Sequence, residues 1–385
     1  MFSITRIYEA VLVFLGRFPR RDICTVLGLL FIGRISLWLV SLAFDGSVVE
    51  NLCKFDCGWY VGIAERGYQA SPSSTGQGNW AFFPALPLLM AGLTALTGVD
   101  TVVAGIIVAN LATMAAALIG MVYIRETRGA AGESAALVFA VLILIGPFSF
   151  YFATVYTEAL LAASMIAALL AWRRGHSLAG GMAAGFASLT RLTGVVLAIV
   201  YAGRLWRRYG LTLPVVLWQR PELALAGLLA PIGFAVFALA LYDAVGDAMA
   251  FARVQTAFNR SLDNPLIRLW DGLMALDLLV AVRHGNPSQT LSALIGIVGL
   301  WLVGTLVVAR RFEEAFIGLF CLILPMASSL DSIARYIIGC PVLLFAAADV
   351  LARRPWARVV PLLVMGSALN LLLVAGWYRA SVQVM

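Results

Sequence analysis

The chain has 385 residues, 62% of them hydrophobic and 12% charged, with 27 basic against 20 acidic side chains and a formal charge of +7. Soluble domains carry roughly 45–50% apolar and about 25% charged residues, so this composition cannot cover a water-facing surface and reads as an all-α polytopic membrane protein. The basic residues, all Arg except Lys54, are scattered between apolar runs, which argues against nucleic acid as a partner; five Cys and two His are too few for a disulfide framework or a His-rich metal site.

In chain order, the apolar runs suited to a ~30 Å hydrocarbon core begin with Ile23–Ala43, Val102–Ile124, Ser134–Phe152 and Glu158–Trp172. Leu178–Leu189 and Val195–Trp206 form a shorter pair joined at Arg191–Gly194. Leu223–Tyr242, Leu291–Ala309, Ala315–Ser328, Tyr336–Leu351 and Val359–Trp377 complete the set. Ile23–Ala43 is too long for a cleaved signal and lacks a small-residue cleavage site. Arginine clusters sit between many of these runs, among them Arg17/Arg20/Arg21, Arg125/Arg128, Arg173/Arg174, Arg310/Arg311 and Arg353/Arg354. The positive-inside rule places each in the cytoplasm. An odd number of crossings must then separate Arg21 from Arg125, so the Pro-containing stretch 82–97 is expected to lie at the outer interface rather than to span. The expectation is a single membrane domain over 1–385 with about eleven spans, N-terminus inside and C-terminus outside. Segments 44–101 and 243–290 face outward.

The first outer segment holds the densest chemistry. On a helix, Asp56, Trp59, Tyr60 and Ile63 would share one face, with Gly67 as the stop. A carboxylate is thereby held at the membrane surface between aromatic side chains and an interfacial helix, where a base acting on a lipid-borne substrate would need to be. A loop acid beside an ordinary aromatic belt fits the same spacing. Cys53 and Cys57, taken as i and i+4 of one helix, are poorly placed for a disulfide and are expected to be free thiols.

This segment resembles the first outer loop of the GT-C glycosyltransferases, and is most similar to the GPI mannosyltransferase 2 (PIG-V type) family and its prokaryotic relatives. The match runs through Phe55–Asp56, Tyr60, Ile63–Ala64, Gly67–Tyr68 and Phe82–Leu88. It continues through Pro147–Tyr151 and Tyr156–Thr157–Glu158, then Ser188–Gly194, then Arg335–Tyr336. Phe55 stands where Trp or Arg is common, and Leu192 where Pro or Ser is frequent; the segment 243–290 shows nothing that aligns. The resemblance implies an inverting transfer of a hexose, mannose first, from a polyprenyl-phosphate-linked donor to an acceptor hydroxyl on a glycolipid or glycoprotein. The reaction would run at the outer face of a prokaryotic plasma membrane.

Such a transfer requires a carboxylate to take the hydroxyl proton and positive charge to receive the departing phosphate. Asp56 is the expected base, with Asp45 and Glu50, which lie outside the motif, as alternatives. Arg191, Arg335 and Arg66 are the expected phosphate ligands, with Lys54 behind them, because the guanidinium fork suits phosphate. Trp59, Tyr60, Glu65, Tyr68, Phe83, Tyr156, Glu158 and Arg34 are the expected substrate contacts. Arg34 falls within an apolar run and should face the bundle. Glu158 could equally pair with Arg34 or Arg191, and Arg335 with Asp331. No metal is indicated, although Asp56 and Glu65 could hold a divalent cation. The competing class is a multi-pass transporter or flippase, which would concentrate polar groups at the midplane.

Overall fold

The computed structural model describes residues 16–278 and 288–379. Among the described residues the chain is helical and has no strand. The helices, numbered here in chain order, are α1 (Arg20–Ser41), α2 (Val48–Leu52), α3 (Cys57–Arg66), α4 (Ala85–Thr97), α5 (Thr101–Arg128) and α6 (Gly132–Ile145). Next come α7 (Glu158–Arg173), α8 (Ser177–Thr190), α9 (Val196–Tyr209), α10 (Leu213–Gln219), α11 (Pro221–Val245), α12 (Ala250–Arg253) and α13 (Pro265–Met274). The last are α14 (Gln289–Val308), α15 (Phe312–Ser328), α16 (Ile333–Gly339), α17 (Pro341–Ala352) and α18 (Trp356–Tyr378).

The polytopic membrane character follows from length and composition. The stretches Arg20–Ser41, Thr101–Ile145, Pro221–Val245, Gln289–Val308 and Trp356–Tyr378 are each long and apolar enough to cross, and α16 with α17 would form a sixth, bent by 79°. Helices such as α7 and α8, at 16 and 14 residues, are shorter and largely buried among their neighbours. Local chemistry sets several ends. Asp100 caps α5 by accepting from the Val102 and Val103 amides, and Arg125 and Arg128 occupy its last turn, where the helix dipole favours cations. The α4 helix has 13 residues, about 20 Å at 1.5 Å per residue, too short for the hydrocarbon core. Pro87 sits in its first turn, where a missing amide hydrogen costs little.

Two apolar runs do not continue as single helices. The run 134–152 ends as helix at Ile145; Pro147 lacks an amide hydrogen, Phe148 adopts φ 61°, and Ser149–Phe152 form a 3₁₀ turn. The run 336–351 breaks at Cys340–Pro341, where Pro341 opens a new helix. Both breaks deliver polar residues to one end of the bundle.

Helices approach closely where side chains are small: a Cβ added at Gly233 on α11 would lie 2.3 Å from the Gly185 carbonyl oxygen on α8. Arg34 faces the bundle, as expected. Its Nε donates to Asn110 Oδ1 at 2.5 Å and its Nη2 to the Phe152 carbonyl at 3.3 Å. It pairs with neither Glu158 nor the cavity described below.

The orientation has a direct test. In a Cys24→Ser background, a cysteine replacing exposed Ser74 is expected to react with an impermeant maleimide from outside. One replacing exposed Ala130 should react only after permeabilisation. Equal labelling of both from outside would overturn the parity argument.

Candidate active site

Four charged side chains meet at the end of the bundle that carries α2–α4. Asp56 immediately precedes α3. Cys53 ends α2 with non-helical φ −105° and ψ 75°, Phe55 takes φ 51°, and helix resumes only at Cys57. This turn corrects the expectation of free thiols: Cys53 and Cys57 are disulfide-bonded, with Cα atoms 5.2 Å apart. Cys53 caps the end of α2 and Cys57 opens α3, and the non-helical turn between them re-aims the two side chains toward each other, which the parallel Cβ directions of one continuous helix would not do. The turn that bears Asp56 is therefore covalently closed, and Gly67, at φ 76°, ends α3 as predicted.

Glu158 opens α7 beyond the 3₁₀ turn, and an acid is favoured at the helix N-terminus. Arg191 lies between α8 and α9 in extended backbone, φ −161° and ψ 150°. The turn after it is so tight that a Cβ at Gly194 would lie 2.3 Å from the Ala187 carbonyl carbon. Only glycine fits there, which accounts for the Arg191–Gly194 spacing. Arg335 sits on the short α16, held inward by the break at Cys340.

The resulting charges form a row. Arg335 Nη1 donates to Asp56 Oδ2 at 2.6 Å. Arg335 Nε lies 3.0 Å from Glu158 Oε1, a charge contact without hydrogen-bond alignment. Arg191 Nη2 donates to the same Glu158 oxygen at 2.7 Å. Side-chain exposure is 16% for Asp56, 8% for Arg335, 11% for Arg191 and 0% for Glu158. Aromatic faces complete the enclosure: the Arg335 guanidinium lies 4.9 Å from the Tyr156 ring centroid, and that of Arg191 lies 4.7 Å from the Tyr336 ring. The Tyr156 hydroxyl accepts from the Asp56 amide at 3.2 Å. Desolvating four charges costs several kcal/mol each and is offset only by such mutual contacts.

Asp56, Arg191 and Arg335 open onto a cavity of about 520 Å³, within the size range of small-molecule sites. Tyr60, Phe82 and Phe83 form one apolar wall, and Leu324, Pro325 and Tyr336 another. Burial pushes the Tyr60 hydroxyl up to about 12, so it remains a neutral hydrogen-bonding group. The remaining wall comes from Phe251, Gln255, Phe258, Arg260 and Ser261, in the segment 243–290 where the sequence shows no alignable motif. Arg260 is one of several arginines in that segment, and nothing in the sequence distinguishes it from Arg253 or Arg268.

The other expected contacts fall elsewhere. Trp59 stands one layer behind the wall, stacked on Phe82 at 5.8 Å, and lines a separate cleft with Arg66 and Tyr68. The Tyr68 hydroxyl donates to the Phe82 carbonyl. Arg66 pairs with Glu65 at 2.9 Å on the surface, at the far end of α3 from Asp56. Arg335 does not take Asp331, which instead accepts from Gln289 and Ser329. Among the described residues, no three metal-ligating side chains come together.

No protein-family model and no curated protein sequence matches the chain. Solved structures do. ArnT from Cupriavidus metallidurans bound to undecaprenyl phosphate superposes with a TM-score of 0.51 at 15% identity, over 87% of this chain and 62% of that one. The oligosaccharyltransferase of Archaeoglobus fulgidus in its apo form gives a TM-score of 0.48 at 15% identity, over 93% of this chain and 56% of that one. The chain thus spans about three-fifths of the length of the structures it matches. The likeness to ArnT shows a shared fold.

Proposed function

We propose that the chain is a membrane glycosyltransferase of GT-C type. It would transfer a hexose, mannose as the first choice, from a polyprenyl-phosphate-linked donor to an acceptor hydroxyl at the outer face. The observation that carries this reading is the joining of one carboxylate, Asp56, to three arginines, Arg191, Arg260 and Arg335, around a single aromatic-walled cavity. The fold shared with ArnT, a protein solved with undecaprenyl phosphate bound, supports the same donor class. Eleven crossings and an outward-facing site belong to the same proposal.

The chemistry needs little else. Asp56 Oδ2 is taken by Arg335, and among the described residues no donor is shown at its Oδ1. That oxygen accepts the proton as the acceptor hydroxyl attacks the anomeric carbon. The new carbon–oxygen bond forms as the glycosyl–phosphate bond breaks from the opposite face, with inversion. The phosphate leaves with the electron pair and is met by the guanidinium groups. Phe82, Phe83, Phe251 and Leu324 offer an apolar bed for the prenyl chain. The polar groups of the candidate site lie at a bundle end rather than at its midplane, which favours transfer over transport.

The test uses the full chain in proteoliposomes with radiolabelled polyprenyl-phosphate mannose and an extract of membrane acceptors. Label is expected to pass to the acceptor fraction while free polyprenyl phosphate accumulates in equal amount. Movement of intact donor between leaflets without transfer would overturn the enzyme reading in favour of a flippase. In the same assay Arg191→Ala is expected to raise the donor KM at least about tenfold, the worth of one charge-assisted hydrogen bond. The acceptor KM should stay within about twofold; an equal rise in both would remove Arg191 from the phosphate site.

A further inference from the structure

A second polar cavity, of about 440 Å³, lies among the helix ends that carry arginines. It is set apart from the first by the length of the helices that line both. The α15 helix contributes Phe312, Glu313 and Glu314 to this cavity and Leu324, Pro325 and Ser328 to the first, separated by about 15 Å of helix at 1.5 Å per residue. The α7 helix runs likewise from Glu158 in the charge row to Arg173 in the second cavity.

The charges there do not balance. Arg128 is satisfied by Glu314 at 2.7 Å and Asp349 at 3.2 Å, and Asp349 is shared with Arg311. Glu313 is shared by Arg204, at 2.6 Å, and Arg207. Glu126 is shared by Arg173, at 3.7 Å, and Arg174, at 2.6 Å. Each carboxylate is thus already divided between arginines, except Glu314. Arg310 also lines the cavity, and its guanidinium makes no ion pair or hydrogen bond to any described residue. Among the described residues, seven arginines face four carboxylates, which leaves three positive charges without a protein counterion. An excess of that size in a concave site at a bundle end calls for an anion with several acceptor oxygens.

The surroundings decide what carries that anion. Phe312 forms part of the cavity wall and is 58% exposed; Val308, two residues before Arg310, is 85% exposed, and Trp206, beside Arg207, 56%. A soluble phosphate gains nothing from such a rim, whereas a phospholipid places its head among the arginines and its acyl chains over the apolar side chains. We infer that this cavity is a binding site for an anionic phospholipid headgroup, separate from the Asp56 cavity and occupied independently of it.

Native mass spectrometry of the purified full chain tests this, with phosphatidylglycerol and phosphatidylcholine of matched acyl chains as probes. Phosphatidylglycerol is expected to be retained at least about tenfold more tightly. The Arg207→Ala/Arg310→Ala variant should lose that preference, while Asp56→Asn keeps it. Arg310→Ala alone breaks no ion pair, so a weakened preference in that variant separates lost binding from lost folding. Equal retention of both lipids, or a wild-type preference in both arginine variants, would overturn the site. Displacement of phosphatidylglycerol by an equal concentration of inorganic phosphate would overturn the lipid as its occupant.

Discussion

Asp56→Asn is expected to lower sugar transfer by about 10²–10⁴-fold, the usual contribution of a positioned general base, while the chain remains folded. The amide keeps a carbonyl oxygen that accepts from Arg335 Nη1, now 2.6 Å from Asp56 Oδ2. The closed turn between Cys53 and Cys57 holds the residue in place whatever its charge. What is lost is the lone pair basic enough to take the acceptor proton. The measurement is transfer in proteoliposomes beside thermal unfolding of the same preparation. Full transfer by this variant would remove Asp56 from the chemistry, and loss of transfer with a collapsed melting profile would recast it as a structural counterion.

Arg335→Leu carries the largest expected effect on stability. The side chain is 8% exposed and contacts two carboxylates, of which Glu158 is fully buried. Removing one partner of a buried pair costs about 3–5 kcal/mol, because the remaining charge stays desolvated without compensation. Glu158 retains Arg191, so the penalty should fall mainly on Asp56. The double variant Asp56→Leu/Arg335→Leu is therefore expected to recover most of the lost stability and none of the activity. A double-mutant cycle of melting temperatures checks this; additive losses would mean that the two residues are not energetically coupled.

Much of the site was legible because its parts are local. The carboxylate, the aromatic residues after it and the Gly67 stop follow one another in a short segment, and the Arg191–Gly194 turn is marked by a glycine that no larger residue can replace. What remained illegible depended on partners distant in sequence. Arg335 had Asp331 at helical spacing, and nothing in the chain pointed instead to Asp56, 279 residues away. The disulfide is hidden in the sequence because the spacing suggests a helix across Phe55, whose left-handed conformation breaks it. The wall from Phe251 to Ser261 carries no motif, since a cavity lining needs only shape and a charge at the right depth.

By itself the sequence determined that the chain is helical and membrane-embedded, because burial in hydrocarbon demands long apolar runs with internally satisfied backbones. It also determined which short segments carry acid, base and aromatic chemistry. Only the tertiary structure decided that Asp56, Arg335, Glu158 and Arg191 form one connected row. The physical reason lies in the breaks after Ile145 and at Cys340–Pro341, which hydropathy does not register. They turn the chain so that charges on separate helices meet and neutralise one another beside the cavity that Asp56, Arg191 and Arg335 line.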